Sequence, residues 1–255
     1  MNYLKELTPF VKTLCDTSGD IIKKYYRSPE LRVESKGDFS PVTAADKGAE
    51  TAIRQLIEQE FPEHGILGEE FGETKPDAEY KWVIDPIDGT KSFIAGTPLF
   101  GTLIALVHRG YPVLGAIHQP ILSDFTIGDN SVAMWNGLQV KMRSCESLDK
   151  ALALATDIRD IMKYHNAVAF HSLLEKVKYF RTWGDAYGYY LLATGQADIM
   201  LDPIMNPWDI MAVAPIIRGS GGVITDWKGN PPELGKSIVA ASKALHKSVL
   251  NVLNS

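Results

Sequence analysis

Residues 82–90 read Trp-Val-Ile-Asp-Pro-Ile-Asp-Gly-Thr, and this nonapeptide constrains the fold more than any other stretch of the chain. Trp82, Val83 and Ile84 form an apolar triplet that reads as the end of a buried strand. That strand delivers two carboxylates, Asp85 and Asp88, with Pro86 fixing the backbone between them. Gly89-Thr90 then opens a short helix, expected over 90–94. Carboxylates at a strand end beside a helix N-terminus suit hard divalent cations, and the helix offers backbone N–H groups to a phosphate. The first inference is metal-dependent phosphate chemistry.

The remaining chain is long enough to surround such a site. Its 255 residues bury a large core as one big domain or two intimate halves. Helical spacing of Leu4, Leu7, Val11, Leu14, Ile21, Ile22 and Tyr25 predicts a long amphipathic helix over the first 26 residues. The polar stretch 32–40 reads as a loop or short strand pair, and helical periodicity returns over 43–60. Strand-like runs follow at 66–67, 81–84, 99–107 and 113–117, the last two joined by a turn at Gly110-Tyr111-Pro112.

After Ser144 strands and helices alternate: strand 151–156, helix 159–177, helix 184–194, strand 198–201, helix 207–218, strands 223–225 and 237–241, helix 244–253. Such alternation signals a layered α/β arrangement. An N-terminal α+β half, 1–145, carries most of the acidic motifs; a C-terminal α/β half, 146–255, carries Asp209. No internal repeat or linker separates them, so one compact unit is expected.

Composition excludes several functions. A formal net charge of −5 with no Lys/Arg run argues against nucleic acid as a partner. No stretch approaches the apolar length of a membrane span, and residues 1–10 lack a signal-peptide core. A cytoplasmic protein is expected, with Cys15 and Cys145 as free thiols.

Four acids invite grouping: Glu69 in Gly68-Glu69-Glu70, Asp85, Asp88, and Asp209 in Asn206-Pro207-Trp208-Asp209. Phosphate-ester hydrolysis needs cations to neutralise phosphoryl oxygens, position a water and stabilise the departing alkoxide. Magnesium takes oxygen ligands, so three or four carboxylates serving two or three ions are chemically reasonable. Spacing removes one rival. Haloacid-dehalogenase-like phosphatases place their nucleophile and its acid/base partner two residues apart, whereas Asp85 and Asp88 are three apart. Direct attack by water therefore replaces a covalent aspartyl-phosphate. The six histidines lack metal-ligand spacing.

With these motifs in order, and with Lys36-Gly37-Asp38 through Asp46 upstream and Gly221-Gly222 downstream, the chain resembles the inositol monophosphatase superfamily from about residue 33 to residue 242. The resemblance implies a five-layer αβαβα sandwich, the fold shared with fructose-1,6-bisphosphatases, and a lithium-sensitive, Mg2+-dependent homodimer. It implies metal ligation by Glu69, Asp85, the Ile87 carbonyl, Asp88 and Asp209. Glu69 and Thr90 would orient a metal-activated water for in-line attack, and the Gly89-Thr90 amides would cradle phosphate. Lys36, Asp38 and Asp46 would belong to a mobile segment over the site, with a plain exposed turn as the alternative for the first two.

The segment 181–189, with Asp202 and Asn206, resembles the histidinol-phosphatase branch of that superfamily, an enzyme of histidine biosynthesis. L-Histidinol phosphate carries an amine and an imidazole. Asp185 and Asp202 are candidates to pair with them, Asn206 to hydrogen-bond the ring, and Trp183 to pack nearby. Two alternatives stay open: Trp183, Tyr187 and Tyr189 as core packing, and Asp185 as a helix cap. The segment Gly128-Asp129-Asn130-Ser131-Val132-Ala133 departs from the family's glycine-rich pattern and is assigned to a surface hairpin. Two other functions remain: phosphatase activity on inositol monophosphate, fructose-1,6-bisphosphate or a nucleotide-like ester, and a non-catalytic dimeric regulator on the same fold.

Overall fold

The computed structural model describes residues 3–35 and 41–255, so Lys36 and Asp38 lie outside the described residues. The first half contributes α1 (Tyr3–Tyr25), β1 (Val33–Ser35), β2 (Pro41–Thr43), α2 (Ala44–Glu60), β3 (Gly65–Gly68), β4 (Gly72–Thr74), β5 (Tyr80–Asp88) and α3 (Thr90–Ile94). A run of antiparallel strands follows: β6 (Gly101–His108), β7 (Tyr111–Gln119), β8 (Asp124–Gly128), β9 (Ala133–Trp135) and β10 (Leu138–Val140). The second half contributes β11 (Leu152–Ala155), α4 (Ile158–Tyr164), α5 (Ala167–Lys176), β12 (Tyr179–Arg181), α6 (Asp185–Ala193), β13 (Ile199–Asp202), α7 (Pro207–Gly219), β14 (Val223–Thr225), β15 (Ile238–Ala241) and α8 (His246–Leu253).

Beside a small antiparallel pair of β1 and β2, two larger sheets organise these elements. The larger has the order β10-β9-β8-β7-β6-β5-β3-β4, and the smaller β12-β11-β13-β15-β14. The period-2 pleat explains how one chain fills three apolar layers. In β5, Trp82 and Ile84 face α1 and α2 with Leu14, Ile53 and Ile57, while Val83 faces the opposite way. In β13, Ile199 and Leu201 pack with Phe170 and Val249 of α5 and α8, while Met200 turns inward. Between the sheets, α6 and α7 share one core with Val83, Leu103, Ala105 and Met200. The layers therefore run α1/α2, large sheet, α6/α7, small sheet, α5/α8: the expected αβαβα sandwich.

Small residues allow the middle layer to approach closely. A Cβ built on Gly115 of β7 would lie 2.0 Å from the Ala212 carbonyl oxygen of α7. The hairpin around residues 128–133 is likewise packed rather than free. Gly128 lies against the α7 backbone at Pro215 and Ile216, and Asn130 Oδ1 accepts from Arg218 at 3.3 Å. Asp129, Asn130 and Val132 stay partly exposed and Ser131 exposed, so the hairpin keeps its expected surface placement while its base packs on α7.

Candidate active site

A regular strand would send Asp85 and Asp88 to opposite faces, because three residues is an odd step in a period of two. The structure resolves this with a β-bulge. Asp85 pairs with Leu103 and Asp88 with Gly101, so two residues of β5 oppose one of β6. Pro86, which has no N–H to give, sits in the bulge, and its carbonyl accepts from the buried Thr102 hydroxyl at 2.9 Å. Asp85 Oδ1 accepts the Ile87 N–H at 2.9 Å, closing the turn from inside. The bulge thus aims both carboxylates at one point.

Gly89 then adopts φ +93°, a conformation that favours glycine, and a Cβ there would lie 3.0 Å from the Leu99 carbonyl oxygen. This redirects the chain into α3. Thr90, first in that helix, donates its hydroxyl to the Ile87 carbonyl at 3.1 Å. The third acid arrives from the second half: Asp209 lies in the first turn of α7 and accepts the Asn206 N–H at 2.8 Å. Asp85, Asp88 and Asp209 each present a carboxylate oxygen within 4.8 Å of the others. Glu69, on the turn after β3, donates its backbone N–H to the Ile84 carbonyl at 3.1 Å, and its side chain shares a hydrogen bond with Asp85.

Four carboxyl groups this close repel one another, and burial adds the cost of desolvation. Burial first, then Glu69, Asp88 and Asp209, hold the Asp85 carboxyl well above the usual range. Burial, then Asp185, Asp209, Asp202 and Glu69, do the same to Asp88. Asp209 is pushed up to about 7 by burial, against the Asn206 N–H. Asp88 Oδ2 is buried with no hydrogen-bond partner. An orphaned carboxylate oxygen among all-oxygen donors fits a hard divalent cation, which would relieve both the repulsion and the missing bond.

Beside this cluster lies a cavity of about 100 Å³. It opens at the carboxyl ends of β11 and β13, where open α/β sheets place ligands. Its lining includes Asp88, Asp209, Asp185 and Asp202, together with Asp157, Asp160, Thr156 and Met205. Asp185 begins α6 with φ +51° and donates its N–H to Thr156 Oγ1 at 2.9 Å; burial raises its carboxyl to about 6, against the pull of Lys91. Asp202 accepts the Tyr189 hydroxyl at 2.6 Å, and burial raises it to about 7 despite bonds to Thr156 and Tyr189. Tyr189 is thus both core packing and a holder of Asp202.

Trp183, Asn206 and Asp46 fall in surroundings of their own, and for Asp46 the expectation is corrected. Trp183 is 40% exposed, lies near the Arg181 guanidinium, and does not line the cavity. Asn206 is exposed at the start of α7, where its backbone N–H donates to Asp209. Asp46 belongs to a helix rather than a mobile segment. It is buried in the first turn of α2, where Oδ2 accepts the Thr43 N–H at 2.8 Å and hydroxyl at 2.6 Å. Asp157 and Asp160 were missed, because an acid at a helix start is ordinarily a cap, as Asp157 is for the Arg159 N–H at 2.8 Å.

The inositol monophosphatase family profile matches residues 3–255, so the chain belongs to that family and is a phosphatase. It is 36% identical over 239 residues to a histidinol-phosphatase of Chlorobaculum parvum, covering 93% of this chain and 92% of that protein. It is 44% identical over 219 residues to the chloroplastic bifunctional phosphatase IMPL2 of Arabidopsis thaliana. That match takes in 85% of this chain but only 63% of the plant protein's length. An inositol monophosphatase structure from Zymomonas mobilis superposes with a TM-score of 0.89 at 39% identity, over 100% of both chains. Among the described residues, no helix is long and apolar enough to cross a membrane.

Proposed function

We propose that this phosphatase is Mg2+-dependent and hydrolyses the phosphate ester of a cationic amino alcohol, L-histidinol phosphate. The observation that carries the reading is the cavity lining: among the described residues it holds six aspartates and no lysine or arginine. A neutral polyol can offer such a wall only hydroxyl hydrogen bonds, whereas an ammonium or imidazolium also offsets the cost of ionising buried carboxyls. The histidinol-phosphatase of Chlorobaculum parvum, similar over nearly its whole length, supports the same choice.

Asp85, Asp88, Asp209, Glu69 and the Ile87 carbonyl would hold the metal. When bound, Mg2+ supplies charge neutralisation for the phosphoryl oxygens and the departing alkoxide, and lowers the pKa of water. The chain's own residues do the positioning. The Thr90 hydroxyl donates to Ile87, so its lone pairs face outward as acceptors for a water O–H. Amides at Gly89 and Thr90 would supply donors to a phosphoryl oxygen. Asp185 and Asp202 receive the cationic groups of the alcohol. Among the described residues no serine or cysteine lines the cavity, which supports direct displacement by water with inversion at phosphorus.

The test is phosphate release from L-histidinol phosphate with and without Mg2+, in wild type and Asp85→Asn. The proposal expects turnover only in the Mg2+-loaded wild type. Undiminished release in chelator, or in the variant, would overturn it.

A further inference from the structure

A charged group lies outside the acid cluster in a place where charge is costly. Glu50, in the middle of α2, is fully buried, and it belongs to a ladder on one helix face with Asp46 and Arg54. Its Oε1 accepts Arg54 Nε at 2.8 Å and the Phe71 N–H at 3.2 Å; Oε2 accepts the Glu70 N–H at 2.8 Å. Arg54 in turn donates through Nη2 to the Gly72 carbonyl. Gly68 presses so closely that a Cβ would lie 1.9 Å from Glu50 Oε1. The whole turn between β3 and β4 is moulded around one carboxylate and its guanidinium partner.

That turn carries Glu69. On one side the Glu69 N–H is tied to Ile84 of β5, one residue before Asp85. On the other, the next two amides are tied to Glu50. We infer that Glu50 is a positioning residue for the metal centre: it fixes the backbone on which Glu69 is presented to Asp85. The inference rests on Glu69 being a metal ligand, as proposed above. Its physical basis is that a five-residue turn bounded by two glycines is soft, and water satisfies the Glu70 and Phe71 amides equally well. Held by Glu50, the ligand is in place before the ion arrives. A buried ion pair is a poor source of net stability, so geometry is the benefit the arrangement offers.

The experiment measures Mn2+ binding to the full chain by titration calorimetry, beside kcat, KM and circular dichroism. Glu50→Gln keeps the size but removes the charge, and its one amide oxygen cannot serve both N–H groups. Gly68→Ala displaces the same carboxylate from the other side. Both are expected to weaken Mn2+ binding and lower kcat by roughly 10- to 100-fold, the usual loss when support behind a metal ligand is removed, while KM for the ester stays put. Glu69→Gln is the control. If it binds Mn2+ like wild type, the metal-site reading fails. If it loses Mn2+ while folded Glu50→Gln and Gly68→Ala do not, the positioning inference alone fails. Should neither variant fold, wild type decides: Glu70 and Phe71 amides protected from hydrogen exchange before metal is added uphold the inference, and unprotected amides overturn it.

Discussion

Asp185→Asn separates charge recognition from every other role of the cavity. The left-handed backbone at Asp185, φ +51°, is one asparagine tolerates, so the variant keeps the chain path and the N–H bond to Thr156. What it loses is one negative charge, partly buried. A charge-assisted hydrogen bond contributes about 1.5–3 kcal/mol, and about 1.4 kcal/mol is a factor of ten in rate. The kcat/KM for L-histidinol phosphate should therefore fall roughly 10- to 100-fold. A neutral ester behaves differently, because Asp185 Oδ2 lies only 3.1 Å from where a Cβ on Gly89 would stand, close to the amides proposed to bind phosphate. Removing an anion there eases repulsion with the phosphate, so kcat/KM for myo-inositol 1-phosphate should hold or rise. The assay is continuous phosphate release at fixed, saturating Mg2+. Equal losses on both esters would mean that Asp185 shapes the site without reading charge, and the reasoning would be refuted.

Asp85→Asn or Asp209→Asn should nearly abolish turnover yet raise the melting temperature of the metal-free protein, since each removes a buried carboxylate from a repelling cluster; a lower melting temperature in both would contradict the electrostatic account. Gly89→Ala should lower kcat at least about tenfold, because a side chain at φ +93° is strained and crowds Leu99 and Asp185; wild-type kcat would show the turn is not needed. His118, buried against α1, has its pKa depressed to about 4 from 6.5 by burial. Between those values the unfolded chain binds the extra proton, so stability falls as pH drops through that window, by roughly 3 kcal/mol for this group. Urea unfolding at pH 7 and pH 4.5 should show His118→Gln losing less stability than wild type, and an equal loss would count against the assignment.

Much of the architecture was legible because its elements are long and periodic. The stripe from Leu4 to Tyr25 became α1, and Gly89-Thr90 marked the start of α3. Strands β4, β8, β9, β10 and β12 were not legible. At three to five residues, with exposed positions such as Leu138 and Tyr179, they exist because a neighbouring strand offers its edge. The acid cluster was readable from Glu69, Asp85, Asp88 and Asp209, but the bulge that lets a three-residue spacing work was not. It needs the pairing of β5 with β6. Of the residues expected near the alcohol, Asp185 and Asp202 line the cavity beside the acid cluster, while Trp183 does not and is 40% exposed. Asp157 and Asp160 carried a usable signal, since they follow the end of β11 as Asp85 follows the apolar part of β5. Glu50 was hidden by a helix that looked simply amphipathic; its clue was that Asp46, Glu50 and Arg54 recur every four residues beside the apolar stripe.

The most direct measurement is the ratio of kcat/KM for L-histidinol phosphate to that for myo-inositol 1-phosphate, on one preparation of wild-type protein at saturating Mg2+. An aspartate-lined cavity selecting a cationic alcohol predicts a ratio well above ten, with both activities lost in chelator. A ratio below one, with Mg2+-dependent turnover intact, would leave the phosphatase and contradict the account of how it chooses its ester.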